Sequence, residues 1–405
     1  MDQLQPRQPV QSLPSASDSL RETRRRLLKG GLAAAGISLL GVPEWVLPVM
    51  AQGAVLVPFT DVPADANFTP TPDRRTLDTR RIDGPITPAD QFFTLQHYGH
   101  PTVDLANYRL TLSGLVERPL SLTLADVRSL GSQDMVVGFE CSGNRGPLQG
   151  ASGNGRWTGV PLRTVLERAG GLKASAREVV FFGADGAEEE VDWRGRKFPV
   201  TVKFGRSLST EKSLSPEPFL AWALNGQPLT THQGAPLRLV VPGWYGVANV
   251  KWLMEIRPQQ ERYVGKWQAR EYRTIKGEMV DGVMKWYETA IEEMRLKSWV
   301  ARVTREGTRH TVLVVTLNDG TPLRSVEVKV DNGPWQPATA DASTTEKYGW
   351  RFYTYTWTNP TPGEHTLVSR VTDANGQVQP EPDALANKVT FLESHQQAPR
   401  TVMVS

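Results

Sequence analysis

A chain of 405 residues with one cysteine, Cys141, can form no internal disulfide. Whatever it folds into must be held by buried apolar surface, and this length accommodates two or three such cores. The lone cysteine also excludes a Cys-x-x-Cys-His haem attachment and any iron–sulfur cluster held by several cysteines of this chain. Its setting is Phe139-Glu140-Cys141-Ser142-Gly143-Asn144-Arg145-Gly146, a run of small, polar, turn-forming residues. A core cysteine would have apolar neighbours. A thiol placed here is presented to a metal, to an electrophile, or to nothing.

Net charge excludes one large class of partner. The formal charge is +3. Residues 1–51 hold Arg7, Arg21, Arg24, Arg25, Arg26 and Lys29 against Asp2, Asp18, Glu22 and Glu44, which is +2 of the total and leaves about +1 for the remainder. No basic face suited to nucleic acid is expected. The same segment reads Thr23-Arg24-Arg25-Arg26-Leu27-Leu28-Lys29 ahead of a mildly apolar stretch that stops at Pro43 and Glu44. That stretch is too short for an ordinary membrane span. Paired arginines before it look like a twin-arginine export signal with a cleavage point near Ala51, so a periplasmic location is expected.

Residues 52–88 are rich in Pro, Asp and Thr and read as an extended arm. A mixed pattern follows over 89–258. Tyr108–Leu112 alternates like a strand, and Leu162, Val165, Leu166 and Ala169 fall at helical spacing before a Gly170-Gly171 stop. Val179–Phe182, Leu237–Val241 and Val250–Ile256 read as further strands, giving an α+β domain. Glu188-Glu189-Glu190 reads as a solvated loop. Residues 259–290 connect to a second region, 291–395, followed by a tail, 396–405. In that region short alternating segments, such as Tyr353-Thr354-Tyr355-Thr356-Trp357, are separated by Asn-Gly and Asp-Gly turns. This is the pattern of an immunoglobulin-like β-sandwich without a disulfide.

Three basic groups, His232, Arg238 and Lys251, flank a strand and the Gly-rich turn Pro242-Gly243-Trp244-Tyr245-Gly246. Arginine offers a planar fork, lysine a point charge, and glycine lets backbone N–H groups approach, which together suit a phosphate. Taken alone, the segment reads rather as a polar loop with satisfied surface charges.

Several motifs in order resemble the sulfite oxidase family of molybdenum enzymes. Cys141-Ser142-Gly143-Asn144-Arg145 is similar to the family's Cys-Ala-Gly-Asn-Arg motif, and Gly155-Arg156-Trp157-Thr158-Gly159-Val160-Pro161-Leu162 to the segment after it. Phe92-Phe93-Thr94-Leu95-Gln96-His97 resembles the entry motif, and Asn225–Leu229 with the His232…Arg238…Lys251 string matches in order and spacing. The resemblance implies a sulfite-oxidase-type molybdopterin-binding domain with Cys141 as the protein's ligand to molybdenum. It implies His97, Asp185, His232, Arg238 and Lys251 as contacts to the pterin and its phosphate, and Tyr272 as an active-site hydroxyl. A soft thiolate suits molybdenum beside a dithiolene, and one protein ligand suffices when the cofactor brings the rest.

The resemblance further implies a small sulfur-containing substrate and a homodimer formed through the C-terminal domain. With no haem in this chain, it implies a separate electron acceptor, a cytochrome. Two positions depart from the pattern. Leu95 and Gly146 stand where sulfite-oxidising relatives carry substrate-binding arginines, with Arg145, Arg156, Arg270 and Arg273 as candidate replacements. The rival readings are an exported molybdoenzyme reducing a sulfoxide, a hydrolase pairing Cys141 with His97 or His232, and a non-enzymatic binding protein.

Overall fold

The computed structural model describes residues 54–62, 70–145, 148–382, 384 and 393–404. The paired arginines of the export reading and Gly146 lie outside the described residues. The described chain is predominantly β. Its α-helices span four to seven residues each, so the helical share expected of an α+β domain is small. The pattern Leu162, Val165, Leu166 does form a helix, Leu162–Arg168, with all three residues buried.

Two sheets build the part that carries the cysteine. In one, the strand Gln133–Glu140 pairs with Ser152–Pro161, which pairs with Phe219–Leu224. In the other, Leu110–Leu112, Leu253–Gln259, Glu178–Trp193 and Arg196–Ser209 lie side by side. The last two form a long hairpin, and it contains Glu188–Glu190, the residues expected in a loop. They alternate along a strand because Glu189 is held there: it accepts from Tyr98 Oη at 2.6 Å and pairs with Lys266 Nζ at 2.8 Å.

The C-terminal region forms two antiparallel sheets around a second core of Val300, Val303, Val312, Val314, Val326, Val328, Leu367 and Val371. Segments from outside 291–395 complete them. Val55–Val57, in the segment read as an arm, pairs with Lys297–Glu306. Arg400–Val404, read as a tail, pairs with Gly363–Asp373. The segment 259–290, read as a connection, contains the hairpin Arg273–Val280/Val283–Ala290.

The strand Lys297–Glu306 is buried on both faces, which is why its sequence Trp299-Val300-Ala301 is a continuous apolar run. Trp299 and Ala301 face the first core while Val300 and Val303 face the second. Side chains alternate along a strand, so Lys297 shares the face of Trp299 and points toward the cysteine-bearing sheets.

Candidate active site

The strand Gln133–Glu140 delivers Cys141 to the edge of a cavity and then turns back as a loop to Ser152. Asn144 clamps this loop. Its Nδ2 donates to Glu140 Oε2 at 2.7 Å and to the Gln149 carbonyl at 2.8 Å, and its Oδ1 accepts from Ala151 N at 2.9 Å. Below the clamp, Lys297 Nζ donates to Glu140 Oε2 at 2.8 Å, with both side chains at most 2% exposed. Burial raises the Glu140 carboxyl and lowers the Lys297 ammonium, and their mutual attraction opposes both effects. Sequence reading missed Glu140 and Lys297. The available signal was a lysine two residues ahead of the apolar run Trp299-Val300-Ala301, in alternation with Trp299.

The cavity is open to solvent and, counting that open space, spans about 620 Å³. Cys141, His97, Asp185, Arg238, Lys251 and Tyr272 line it together, with Phe93, Phe139, Phe204 and Val247 as apolar wall. Six of the seven residues singled out from sequence therefore converge. His232 does not line it. Its ring packs edge-on against His100 with centroids 4.3 Å apart, and its Nδ1 has no hydrogen-bond partner. Leu95 lines the cavity and is 38% exposed, whereas none of Arg145, Arg156, Arg270 and Arg273 lines it.

Among the described residues, neither cation here makes a salt bridge, although Asp185 acts on Lys251 across the cavity. Arg238 is buried between the rings of Phe139 and Trp157. Its two Nη groups donate to the carbonyls of Gln233 and Asn249, each at 2.9 Å, and its Nε is unpartnered. Burial alone lowers it to about 9. Lys251 is lowered to about 7, first by burial and then by Arg238. Its Nζ donates to the Leu95 carbonyl at 3.0 Å and lies 4.4 Å from the Trp252 ring centre.

Two backbone features seat this lysine. Gly234, at φ +97°, leaves the room that Lys251 fills, since a Cβ there would fall 2.7 Å from Lys251 Cβ. Trp252 adopts φ +47°, costly for a bulky residue and of order 1–3 kcal/mol. The Trp252 Nε1–H bond to the Thr231 carbonyl at 2.9 Å helps hold it there. This turn is also why the strand read as Val250–Ile256 begins only at Leu253.

Opposite the cations, Asp185 Oδ1 is buried without a partner, and burial raises its carboxyl to about 6. His97 stacks on Trp267 with centroids 4.1 Å apart, and its Nε2 lies 3.0 Å from Tyr272 Oη. Burial, then Lys251 and Lys266, lower His97 to about 4, while burial raises Tyr272 above its ordinary value. The pair is thus a neutral imidazole and a protonated phenol at neutral pH. Because the unfolded histidine titrates near 6.5 and the folded one near 4, the unfolded state binds more protons between those values. The apoprotein should lose stability as pH falls through this window, by at most about 3 kcal/mol, and level off below it. Urea unfolding of wild-type and His97→Gln apoprotein from pH 7.5 to 4 checks this, since the variant should show a shallower loss.

This site fits a large anionic cofactor with an amide-like edge. An unpartnered buried carboxylate oxygen, an unpartnered guanidinium Nε and two cations without carboxylate partners are all satisfied by one ligand carrying N–H donors and a phosphate. Among the described residues no group of three His, Cys, Asp or Glu side chains forms a metal site. A metal bound at Cys141 would thus take its other ligands from the cofactor.

Residues 97–267 match the family model of the oxidoreductase molybdopterin binding domain, which places the site in the class of molybdopterin-binding oxidoreductases. The mitochondrial sulfite oxidase of Homo sapiens is 29% identical over 330 residues, covering 73% of this chain and 57% of its own length. The sulfite oxidase of Arabidopsis thaliana is 26% identical over 361 residues, covering 80% of this chain and 88% of its own. By these matches the chain is similar to the sulfite oxidases. Its match spans a little over half the length of the mammalian relatives. The solved sulfane dehydrogenase SoxCD from Paracoccus pantotrophus has the same fold, with a TM-score of 0.68 at 22% identity over 97% of this chain and 100% of that one.

Proposed function

We propose that this chain oxidises a small sulfur compound, with sulfite the leading candidate. The balanced reaction takes sulfite and water to sulfate, two protons and two electrons. The electrons leave singly to an external acceptor, a cytochrome. The observation that carries this reading is the convergence of the thiol of Cys141, two uncompensated cations and the Tyr272–His97 pair on one cavity.

Arg238 and Lys251 hold the phosphate and pterin of the cofactor, Asp185 accepts its N–H donors, and Cys141 is the ligand to molybdenum. When bound, the cofactor supplies the two-electron oxygen-transfer chemistry. The chain supplies the rest. The aromatic wall lines the ligand, the cations fix its orientation, and the Tyr272 hydroxyl is positioned by its 3.0 Å contact with the neutral imidazole of His97. Export by the twin-arginine route and dimerisation through the C-terminal sheets belong to the same reading.

A second reading is favoured by Leu95, whose apolar side chain stands on the cavity where a substrate-binding arginine is expected. It is a larger, less charged sulfur substrate, of the sulfane kind named for the SoxCD neighbour. Molybdenum and pterin analysis of the purified protein, followed by assay with sulfite, thiosulfate and a sulfoxide, separates these. Sulfite or thiosulfate oxidation supports oxidation, and sulfoxide reduction alone overturns it. Lys251→Ala should lower cofactor retention roughly 10- to 100-fold, the worth of one charge-assisted contact. The molybdenum-to-protein ratio after dialysis measures it.

A further inference from the structure

A neighbouring strand sets an arginine opposite Leu95. Arg74–Arg75 pairs antiparallel with Thr94–Leu95, in the register Arg74 to Leu95 and Arg75 to Thr94. Gln96 N donates to the Asp73 carbonyl at 3.0 Å and extends the pairing. Residues directly opposite in an antiparallel pair project on the same face. Arg74 is therefore on the face of Leu95, a residue of the cavity wall. Arg75 is on the other face, where its Nη1 donates to the Asp90 carbonyl at 3.3 Å. Arg74 is exposed, and among the described residues its guanidinium forms no salt bridge.

We propose that Arg74 is a specificity-determining residue that recognises the negative charge of the substrate at the mouth of this cavity. The inference rests on the proposed sulfur oxidation and narrows its substrate to an anionic species, an oxyanion of sulfur in preference to a neutral sulfoxide. A guanidinium suits this role because its planar fork meets an oxyanion with two parallel N–H donors. The register explains how the pocket keeps a cation although the wall position is leucine. The charge sits one strand over, opposite the same point.

The test uses the molybdenum-loaded enzyme, sulfite as substrate and ferricyanide as one-electron acceptor. Arg74→Gln should lower kcat/KM about tenfold, mainly through KM, and flatten its dependence on ionic strength. Arg81→Gln, on the same arm and 83% exposed, should stay within about twofold of wild type. Adding Leu95→Arg to Arg74→Gln should restore KM, because the new guanidinium starts from the opposite residue of the pair. Calorimetric titration with sulfate, an inert oxyanion, should show about tenfold weaker binding in Arg74→Gln. Unchanged KM and unchanged sulfate affinity in that variant overturn the assignment. If wild type oxidises no sulfur compound, the proposed function fails, and the sulfate titration still decides whether Arg74 binds an anion.

Discussion

Replacing Lys297 by methionine is expected to lower stability by about 3–5 kcal/mol, because it leaves Glu140 buried and uncompensated. The double variant Glu140→Gln/Lys297→Met should recover much of that loss, since removing both charges also removes their desolvation cost. Equilibrium urea unfolding of the apoprotein measures both, and equal losses in the single and double variants would show that the pair contributes through packing alone. The single variant should also hold less molybdenum. Glu140 Oε2 accepts from Asn144 as well as from Lys297, so a displaced carboxylate slackens the loop that presents Cys141.

Cys141→Ser is expected to abolish turnover while leaving the fold intact. The exchange is nearly isosteric at a half-buried position, so its cost in stability should be small. Loss of a residue that merely supports a metal ligand costs about 10- to 100-fold. Loss of the only soft donor on the cavity wall should exceed that, because an alcohol oxygen is a poor substitute for thiolate at molybdenum. Pterin content, read by fluorescence after oxidation, should remain near wild type, held by Arg238 and Lys251. A serine variant that turns over sulfite within tenfold of wild type would remove Cys141 from the metal.

Much of the site was legible because its residues announce themselves locally. A cysteine among turn formers, two cations around a Gly-rich turn and a histidine behind two phenylalanines can each be read within a few residues, and the cavity unites them. His232 stands apart from that wall. Its sequence neighbours are those of Arg238, but the left-handed Gly234 ends its short 3-10 turn and sends it toward His100. Strand boundaries near Lys251 were misplaced because the pattern of Val250–Ile256 gives no sign that Trp252 takes a positive φ.

Pairings between distant segments were not legible. Nothing local to Lys297 indicates Glu140, 157 residues away. Nothing local to Arg74 indicates that it will lie opposite Leu95. Glu188 and Glu190 are solvated as read, but nothing local indicates that Lys266 and Tyr98 will be brought across to Glu189. Such contacts are set by topology, and a residue's own neighbours carry no trace of them.

The loop that presents Cys141 is completed from far downstream. Ser394 N donates to the Ser142 carbonyl, and Glu393 Oε2 accepts from Thr274 Oγ1. During synthesis the cysteine emerges first, then Lys297, and only near the end the segment that closes over Ser142. A ribosome-bound chain halted before residue 393 would have the thiol and both cations but not the finished receptacle. The loop around Cys141 therefore reaches its final form only once the segment from Glu393 has docked on it, so the site is finished by residues some 250 positions downstream of the thiol.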